Sequence, residues 1–305
     1  MSFFKYTNLN TAKLILENSS LRWSSPIVFN DVEECQFVPF SRENYLQAFK
    51  DYVEILTQYA SGNQSKYDFN KFSEITKTLI SLFNISLTQG KHNMSDFARE
   101  MLDIVSNPEA DYREYINVAL IKIFRIICLT DSYDNTLMWA HYADQHYGCV
   151  LELESVYLEK PHSLKEGNVE YHENLHPKTN SLDLLLYGET IEIRNLMIRD
   201  VIFSKRTTWN YEREYRFMFA ENFGQITLSR DFQLKKSEIS TKYQTDKLFT
   251  DISIDKQSVK SVIFGVRTEE NNIQVVKEIL SKNNYKSQLF QMKIVNGKME
   301  KLPLS

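Results

Sequence analysis

One short stretch of this sequence, residues 209–219, places charged side chains at alternate positions among aromatic ones. It reads WNYEREYRFMF and contains Glu212, Glu214 and Arg216. Because side chains alternate across a β-strand, these three would share one face of an extended segment, and Tyr211 would face the other way with the remaining aromatic side chains. Two carboxylates fixed on one face could do acid/base work or bind a ligand, or they could form an exposed ion pair with the arginine.

The groups around this stretch are of the kinds that bind a planar, anionic ligand. Lys205 and Arg206 lie just upstream, and Trp209 begins the stretch. An indole ring can stack on a planar group, an arginine such as Arg216 can bind an anion, and a carboxylate remains for polar chemistry. We therefore predict a functional site here, with a solvated strand face as the alternative.

A second stretch, residues 134–154, contains imidazole and thiol groups that could bind a metal ion. His141, His146 and Cys149 follow the spacing H-x4-H-x2-C. Three such ligands can form a catalytic zinc site with an open position. The spacing matches no metal motif, however, and Cys149 begins an apolar strand, where a buried thiol is common. We expect no metal.

Other motifs of catalysis and phosphate binding are absent from the sequence. It contains no G-x-S-x-G elbow, no G-x-x-x-x-G-K-[ST] loop and no G-x-G-x-x-G turn. Its three cysteines, Cys35, Cys128 and Cys149, lack a local signature for thiolate activation. A glycine loop that holds phosphate and a cysteine nucleophile are therefore not expected.

The composition is that of an ordinary globular protein. The chain has 305 residues, of which 42% are hydrophobic and 25% charged. A formal net charge of −4 argues against broad coating of nucleic acid. No run reaches the ~18 apolar residues that span a membrane, and the start MSFFKYTNLN lacks the pattern of a signal peptide. With three widely spaced cysteines, we expect a cytoplasmic protein without a membrane partner.

The elements that must position these residues follow an α+β order. The amino-terminal segment reads strand, helix, strand, with Asn10 as a plausible N-cap. From about Ser41 to Leu120 apolar residues recur at helical spacing. After Cys128 the patterns are mainly those of strands, and KSQLFQMKIV is the expected last strand. We predict an α+β fold in a single domain of residues 1–305, with a mixed or antiparallel sheet core and a helical insertion near residues 41–120.

Four blocks of the sequence together resemble a large bacterial family. They are FFKYTNLNTAKLILENSSLRWSSPIVFNDVEEC, ICLTDSYDNTLMWAHYADQHYGCVLELE, KRTTWNYEREYRFMF and SVIFGV, in that order. The family is catalogued as domain of unknown function twenty-nine seventy-one. The resemblance spans most of the chain outside the helical stretch. The blocks contain further candidates for site residues: Asn30, Asp31, Trp139, His141 and Tyr142.

A more distant resemblance connects the chain to ADP-ribosyltransferases. These enzymes open with a strand, a helix and a second strand, and a later strand supplies a catalytic glutamate. The segment FKYTNLNTAKLILENSSLRWSS resembles that opening. The corresponding positions are Lys5, Tyr6 or Thr7 on the first strand; Trp23, Ser24 or Ser25 on the second; and Glu212 or Glu214 on the later strand.

This resemblance implies chemistry on NAD. Glu214 would stabilise the oxocarbenium-like transition state that forms when nicotinamide leaves. Tyr6 or Trp23 would pack against the nicotinamide ring. The pyrophosphate would meet a cationic side chain. The candidates for that contact are Lys5, Arg206 and Arg216.

The leading hypothesis from the sequence is an ADP-ribosyltransferase-like enzyme that acts as a bacterial toxin or phage-defence effector. Its acceptor, whether a protein side chain, a nucleic-acid base or water, is not readable from the residues. One alternative is a non-catalytic module that binds a nucleotide or a protein. The other is a metal-dependent hydrolase or nuclease that uses His141, His146 and the glutamates.

Overall fold

The computed structural model describes residues 2–36, 40–63, 65–90, 121–174, 177–221 and 247–304. Its strands are β1 (Phe3–Thr7), β2 (Ser20–Ser24), β3 (Phe124–Thr130), β4 (Cys149–Leu153), β5 (Lys165–Asn168), β6 (Glu170–His172), β7 (Ser204–Arg206), β8 (Glu214–Ala220), β9 (Phe249–Ser253), β10 (Val259–Phe264), β11 (Gln288–Val295) and β12 (Lys298–Pro303). Its α-helices are α1 (Leu9–Asn18), α2 (Arg42–Ala60), α3 (Glu74–Thr88), α4 (Ile121–Ile123), α5 (Thr136–Tyr142), α6 (Ser181–Tyr187), α7 (Ile191–Ile202) and α8 (Glu270–Lys282). None of the helices within these described ranges is both long and apolar enough to cross a membrane.

Within the described ranges, ten strands form one mixed sheet. The main order is β12-β11-β10-β4-β1-β3-β2-β9, with β8 beside β3 and β5 beside β8. The pair β10–β11 is parallel, and the other pairs of this sheet are antiparallel. The α+β prediction is confirmed, because a mostly antiparallel sheet is combined with helices that are concentrated in separate stretches of the chain.

Strand β3 is the branch point of this sheet. Strand β8 pairs with β3 along its whole length, from Phe124 opposite Ala220 to Thr130 opposite Glu214. The other edge of β3 is shared, because β1 pairs with it at Thr130 and β2 pairs with it at Ile126. Strands β1 and β2 therefore separate along this edge. We call this place the fork.

Side chains of β8 divide between the two faces of the sheet, as the period of two requires. Phe217 and Phe219 belong to the main core, which also contains Trp23 of β2 and Leu151 of β4. Helices α1 and α8 contribute buried side chains to this core. Glu214 and the other alternate residues of β8 therefore face away from the main core.

The amino-terminal strand, helix and strand are confirmed as β1, α1 and β2. The predicted N-cap is wrong by two residues. Asn8 has extended backbone angles, φ −71° and ψ 160°, and its side chain accepts a hydrogen bond from the N–H of Thr11 at 2.8 Å. Asn10 already lies inside the helix, because Leu9 is its first residue.

Contacts divide the chain into two compact units, and the helical stretch belongs to the second of them. In that unit, α2, α3 and α6 pack around a core that includes Phe49, Leu56 and Leu186. The predicted helical spacing is confirmed for α2 and α3, whereas the rest of the predicted helical stretch, residues 91–120, lies outside the described residues. The units comprise Met1–Asp31, Leu120–Glu173 and Lys205–Ser305 in the first, and Val32–Ala119 and Asn174–Ser204 in the second.

The carboxyl-terminal strands form a hairpin, β11–β12. Asn296 and Gly297 make its turn with φ of 50° and 78°, the left-handed pair that a two-residue hairpin favours. The prediction that KSQLFQMKIV is the last strand is wrong, because Lys298–Pro303 returns along it as β12. The turn at Asn296 and Gly297 makes that return possible.

Candidate functional site

The stretch WNYEREYRFMF is only partly a strand. Thr207–Glu212 forms a 3-10 segment, Arg213 has a left-handed backbone with φ 46° and ψ 50°, and β8 begins at Glu214. The prediction of one continuous strand is therefore wrong at Glu212, since the turn at Arg213 interrupts the alternation. Glu214 and Arg216 do lie on the same side of the strand, two residues apart.

Arg216 and Glu214 form a buried ion pair with two hydrogen bonds. Nε of Arg216 donates to Oε1 of Glu214 at 2.6 Å, and Nη2 donates to Oε2 at 2.9 Å. Arg216 is 0% exposed and Glu214 is 5% exposed. Such two-pronged pairs are strong and specific in geometry. The pair therefore holds the carboxylate of Glu214 in one orientation.

Lys205 connects this pair to the second glutamate. Its Nζ lies 2.7 Å from Oε2 of Glu212 and 3.5 Å from Oε2 of Glu214. Tyr142 donates its hydroxyl to Oε1 of Glu212 at 2.5 Å. Glu212 and Lys205 are also buried. We call the four charged side chains, Lys205, Glu212, Glu214 and Arg216, the ionic network.

Two uncharged groups also contact Glu214. The thiol of Cys128, which lies opposite Arg216 on β3, is hydrogen-bonded to the carboxylate. The hydroxyl of Tyr171 accepts the backbone N–H of Glu214 at 2.9 Å. Burial, followed by the charge of Glu214, raises the pKa of Cys128 well above its ordinary value. This thiol therefore stays protonated and acts as a donor to Glu214 rather than as a nucleophile.

Burial displaces the pKa values of the Arg216–Glu214 pair. It raises the pKa of Glu214 to about 7, against the opposing charge of Lys205. It lowers the pKa of Arg216 to about 9, a shift that Asp31 opposes. Burial alone would lower the pKa of Lys205, but the charges of Glu214 and Glu212 outweigh it and raise that pKa. Glu214 can therefore exchange a proton near neutral pH, as acid/base groups do.

A half-buried aromatic surface borders the ionic network. The rings of Trp209 and Tyr211 lie 6.1 Å apart, and Nζ of Lys205 is 4.7 Å from the centroid of the Trp209 ring. The hydroxyl of Tyr211 is hydrogen-bonded to Nδ1 of His141 at 2.9 Å. We call Tyr142, His141, Trp209 and Tyr211 the aromatic rim. Its partly exposed rings could contact a planar group of a ligand.

Lys5 lies on β1 at the fork. It pairs with Leu151 of β4, and its neighbour Phe4 pairs with the end of β3. Burial lowers the pKa of Lys5, and Cys128 offsets part of that shift. Within the described residues, the ammonium group makes no ion pair or hydrogen bond. Because Cys128 is bonded to Glu214, this ammonium lies near the ionic network and could receive an anion.

Tyr6, Thr7 and Trp139 belong to the packed interior. Tyr6 contacts Trp139 edge to face with ring centroids 5.4 Å apart, and its hydroxyl accepts the N–H of Asn135 at 3.3 Å. Thr7 is buried as well. Tyr211 packs against the same apolar cluster as Tyr6, so its predicted place beside the aromatic side chains of β8 is wrong.

Trp23 and Ser24 fall on opposite sides of β2. Trp23 is fully buried against Phe217 and Phe219. The structure does not bring Trp23 to the ionic network, because these phenylalanines face away from Glu214 on β8. Ser24 pairs with β3 at the fork.

The remaining candidates lie around the ionic network. Exposed Asn30 donates from Nδ2 to the hydroxyl of Tyr142 at 3.5 Å. Asp31 interacts electrostatically with Arg216. Arg206 is exposed on β7, directly after Lys205. The sequence candidates that converge here therefore come from four separate parts of the chain.

The candidate metal ligands are not brought together. Cys149 is buried in β4, and His146 stacks on Trp139 with ring centroids 6.2 Å apart and planes 8° from parallel. His141 instead contacts Tyr211. In the part of the chain that the structure describes, no group of three or more His, Cys, Asp or Glu side chains could hold a metal ion.

Sequence reasoning missed the roles of Cys128 and Tyr171 and noted Lys205 only as a nearby cation. Lys205 is bonded to both glutamates, which neither its spacing nor its flanking residues indicate. The contact of Cys128 depends on its register opposite Arg216. One sequence does not specify which residues of two distant strands lie opposite each other. The available signal is a polar residue at alternate positions in each of the two strands.

Comparison with family models finds a match to part of the chain. The model of a family described as protein of unknown function (DUF2971) matches residues 138–217. The match supports the resemblance to this family, and it includes the whole ionic network together with the aromatic rim. No curated protein and no solved structure matches the chain. The comparisons therefore lend no support to the resemblance to ADP-ribosyltransferases.

Proposed function

We propose that this chain is an ADP-ribosyltransferase-like enzyme that takes NAD as its substrate and uses Glu214 as the catalytic carboxylate. The observation that supports this most directly is the setting of Glu214. It is buried, held in one orientation by Arg216, and titrates with a pKa of about 7 because of its burial. It also lies near Lys5, whose ammonium has no ionic partner within the described residues.

In the proposed reaction, the bond between C1′ of the ribose and the nicotinamide nitrogen breaks. Its electron pair passes to nicotinamide, which leaves as a neutral molecule. The carboxylate of Glu214 accepts a hydrogen bond from a ribose hydroxyl and stabilises the oxocarbenium-like transition state. A nucleophile of the acceptor then bonds to C1′ and releases its proton to the carboxylate of Glu212, which acts as the general base.

The structure changes which residues we assign to the rest of the substrate. Arg216 is bonded to Glu214 and fully buried, so we assign the pyrophosphate to Lys5 and exposed Arg206. Trp23 is enclosed in the main core. We therefore assign the contact with the nicotinamide ring to the aromatic rim. The side chain of Trp209 in this rim is only half-buried, so its ring can contact a ligand.

Release of nicotinamide from NAD by the purified protein tests this proposal. We expect turnover by the wild type and a loss of at least about a thousandfold in Glu214→Gln, the scale expected when a group that stabilises the transition state is removed. Glu221→Gln is the matched control, because Glu221 lies at the other end of β8 and also pairs with a buried arginine. An absence of turnover with every class of acceptor, including water, would contradict the proposal.

The proposal includes a setting in bacterial conflict and a cytoplasmic location. Expression of the wild type in a bacterial host should then lower cellular NAD and slow growth. Expression of Glu214→Gln at the same level should do neither. Equal growth with both forms would contradict the proposed role as a toxin or phage-defence effector. The proposed enzymatic activity would still be decided by the nicotinamide-release assay.

One observation favours a second candidate function, a non-catalytic module that binds a nucleotide or a protein. Both carboxylate oxygens of Glu214 already accept hydrogen bonds, from Arg216 and from Lys205. A fully engaged carboxylate can also serve only to hold the surface in shape. Calorimetry with NAD would then show binding without turnover, and Glu214→Gln would change the Kd alone.

A further inference from the structure

Arg213 has a backbone conformation that is rare for its residue type. Its φ of 46° and ψ of 50° lie in the left-handed region, where a Cβ atom approaches the following carbonyl too closely. Glycine tolerates this region, and asparagine and aspartate visit it with the help of local hydrogen bonds. Such a conformation persists in another residue type only when the surrounding structure enforces it.

Two contacts enforce the conformation of Arg213. Its N–H donates to the carbonyl oxygen of Asn210 at 3.2 Å and closes the 3-10 segment. Its Nη2 lies 2.5 Å from Oδ2 of Asp131. Asp131 follows Thr130, the residue of β3 that pairs with Glu214. The ion pair therefore fastens the turn to the end of the strand beside the ionic network.

The turn at Arg213 determines where Glu212 lies. Strand β8 begins directly after the turn, at Glu214, and the 3-10 segment that carries Glu212 lies directly before it. The two carboxylates then meet the same ammonium, with Oε2 of Glu212 at 2.7 Å from Nζ of Lys205 and Oε2 of Glu214 at 3.5 Å. A shift of this turn would separate the two contacts with Lys205.

We propose that Arg213 is a positioning residue, whose left-handed turn, held by Asp131, sets the placement of Glu212 and Glu214 around Lys205. An arginine stands where glycine would be the least strained residue, since only a long side chain reaches Asp131. The test of this inference by nicotinamide release rests on the proposed function.

Substitutions that differ in their tolerance of the left-handed region provide the test. Arg213→Gly keeps the turn and loses the ion pair, whereas Arg213→Val disfavours the turn and loses the same ion pair. We expect the kcat of nicotinamide release to stay within about fivefold of the wild type in Arg213→Gly and to fall at least about fiftyfold in Arg213→Val, with KM nearly unchanged. Asp131→Asn keeps the strained arginine and removes the ionic contact that holds its turn, so we expect its kcat to fall between the values of Arg213→Gly and Arg213→Val. Arg213→Ala takes the place of Arg213→Val if that variant does not fold.

A second readout does not depend on NAD. The fluorescence of Trp209 can be isolated as the difference between the wild type and Trp209→Phe. Burial raises the pKa of Glu214 to about 7, and Lys205 contacts both Glu214 and the Trp209 ring. We therefore expect this fluorescence to change with pH with a midpoint near 7. We expect Arg213→Gly to keep this midpoint and Arg213→Val to move it by at least about half a pH unit. If the wild type releases no nicotinamide, the proposed function fails and this midpoint still decides the role of Arg213.

Equal behaviour of the glycine and valine variants in kcat and in the midpoint would overturn the inference. If Arg213 had a purely structural role, Arg213→Val would have a lower melting temperature. Its kcat and its fluorescence midpoint would nevertheless equal those of Arg213→Gly.

Discussion

Two buried arginines on neighbouring strands each bind a glutamate at opposite ends of β8. Arg125 of β3 pairs with Glu221 directly after the end of β8, and Arg216 pairs with Glu214 at its start. Both guanidinium groups are 0% exposed. The two pairs are therefore alike in residue type and in the burial of their arginines, whereas the side chain of Glu221 is 25% exposed and that of Glu214 is 5% exposed. They also differ in what surrounds them.

The surroundings of Arg125 are mainly backbone. Its guanidinium donates to Oγ1 of Thr250, and its partner Glu221 accepts the hydroxyl of the same threonine at 2.6 Å. These bonds tie the start of β3 to the end of β8 and the start of β9. The carbonyl oxygens that also accept from Arg125 are those of Lys122, Phe124 and Lys247.

The carboxylate that Arg216 binds, Glu214, lies among other ionisable groups. Glu214 shares Lys205 with Glu212 and accepts from the thiol of Cys128. Burial gives Glu214 a pKa of about 7. A buried arginine and glutamate can thus serve either to join strands or to set the protonation of a carboxylate. The neighbouring groups, rather than the ion pair itself, distinguish the two roles.

The largest expected effects on stability come from replacing each of the two arginines. We expect Arg125→Met and Arg216→Met each to lower the free energy of unfolding by about 3–5 kcal/mol. The first leaves three backbone carbonyls without their donor, and the second leaves the buried carboxylate of Glu214 without its main partner. Adding Glu214→Gln to Arg216→Met should recover about 2–3 kcal/mol of that loss, since the unpaired buried charge is gone.

The corresponding double variant at the other end of β8 should recover less. Arg125→Met with Glu221→Gln still leaves three backbone carbonyls without their donor, so we expect a deficit of about 2–3 kcal/mol. Urea unfolding curves measure both double variants. Equal recovery at the two ends would show that the two pairs have the same role.

The pH dependence of stability should sharpen the comparison with a smaller effect. Burial raises the folded-state pKa of Glu214 to about 7 from 4.5. Its contribution to stability is therefore complete below pH 4.5 and is lost as the pH rises through 7. Relative to Glu214→Gln, the wild type should lose on the order of 3 kcal/mol between pH 4.5 and 8. Parallel stability curves for the two proteins, measured by urea unfolding across that range, would contradict this expectation.

Removal of one hydroxyl at the ionic network should have the smallest effect. Tyr142→Phe deletes the donor to Oε1 of Glu212 and should cost about 1 kcal/mol of unfolding free energy, with about a threefold loss of nicotinamide release. Tyr147→Phe is the matched control, because Tyr147 is exposed and contacts Arg267 through its ring, which phenylalanine keeps. If both variants show the same small loss, the hydroxyl of Tyr142 has no special role.

Much of the fold could be predicted from the sequence because local patterns specify its elements. The spacing of Phe49, Val53 and Leu56 indicated α2, and the short aromatic segment FFKYT indicated the first strand. The turn residues Asn296 and Gly297 also indicated a hairpin, although the short, highly charged strand after them was not recognised. Charged residues such as those of β12 are ordinary on an edge strand but weaken the pattern that identifies it.

The candidate site was predicted in composition but not in geometry. The types and spacing of Glu212, Glu214 and Arg216 identified the right region. The left-handed turn at Arg213 was not predictable, because no glycine or asparagine marks it. The place of Trp23 on the other face depends on strand pairing across many residues, which the local pattern does not contain.

A paired measurement on the two glutamates tests most directly whether the start of β8 is the reactive end. Nicotinamide release from NAD and the free energy of unfolding would be measured for Glu214→Gln and Glu221→Gln in parallel. We expect at least about a thousandfold loss of turnover in the first, with the folded state kept, and turnover within about threefold of the wild type in the second. Equal turnover in the two variants, or no turnover in the wild type, would contradict the assignment of Glu214 as the catalytic carboxylate.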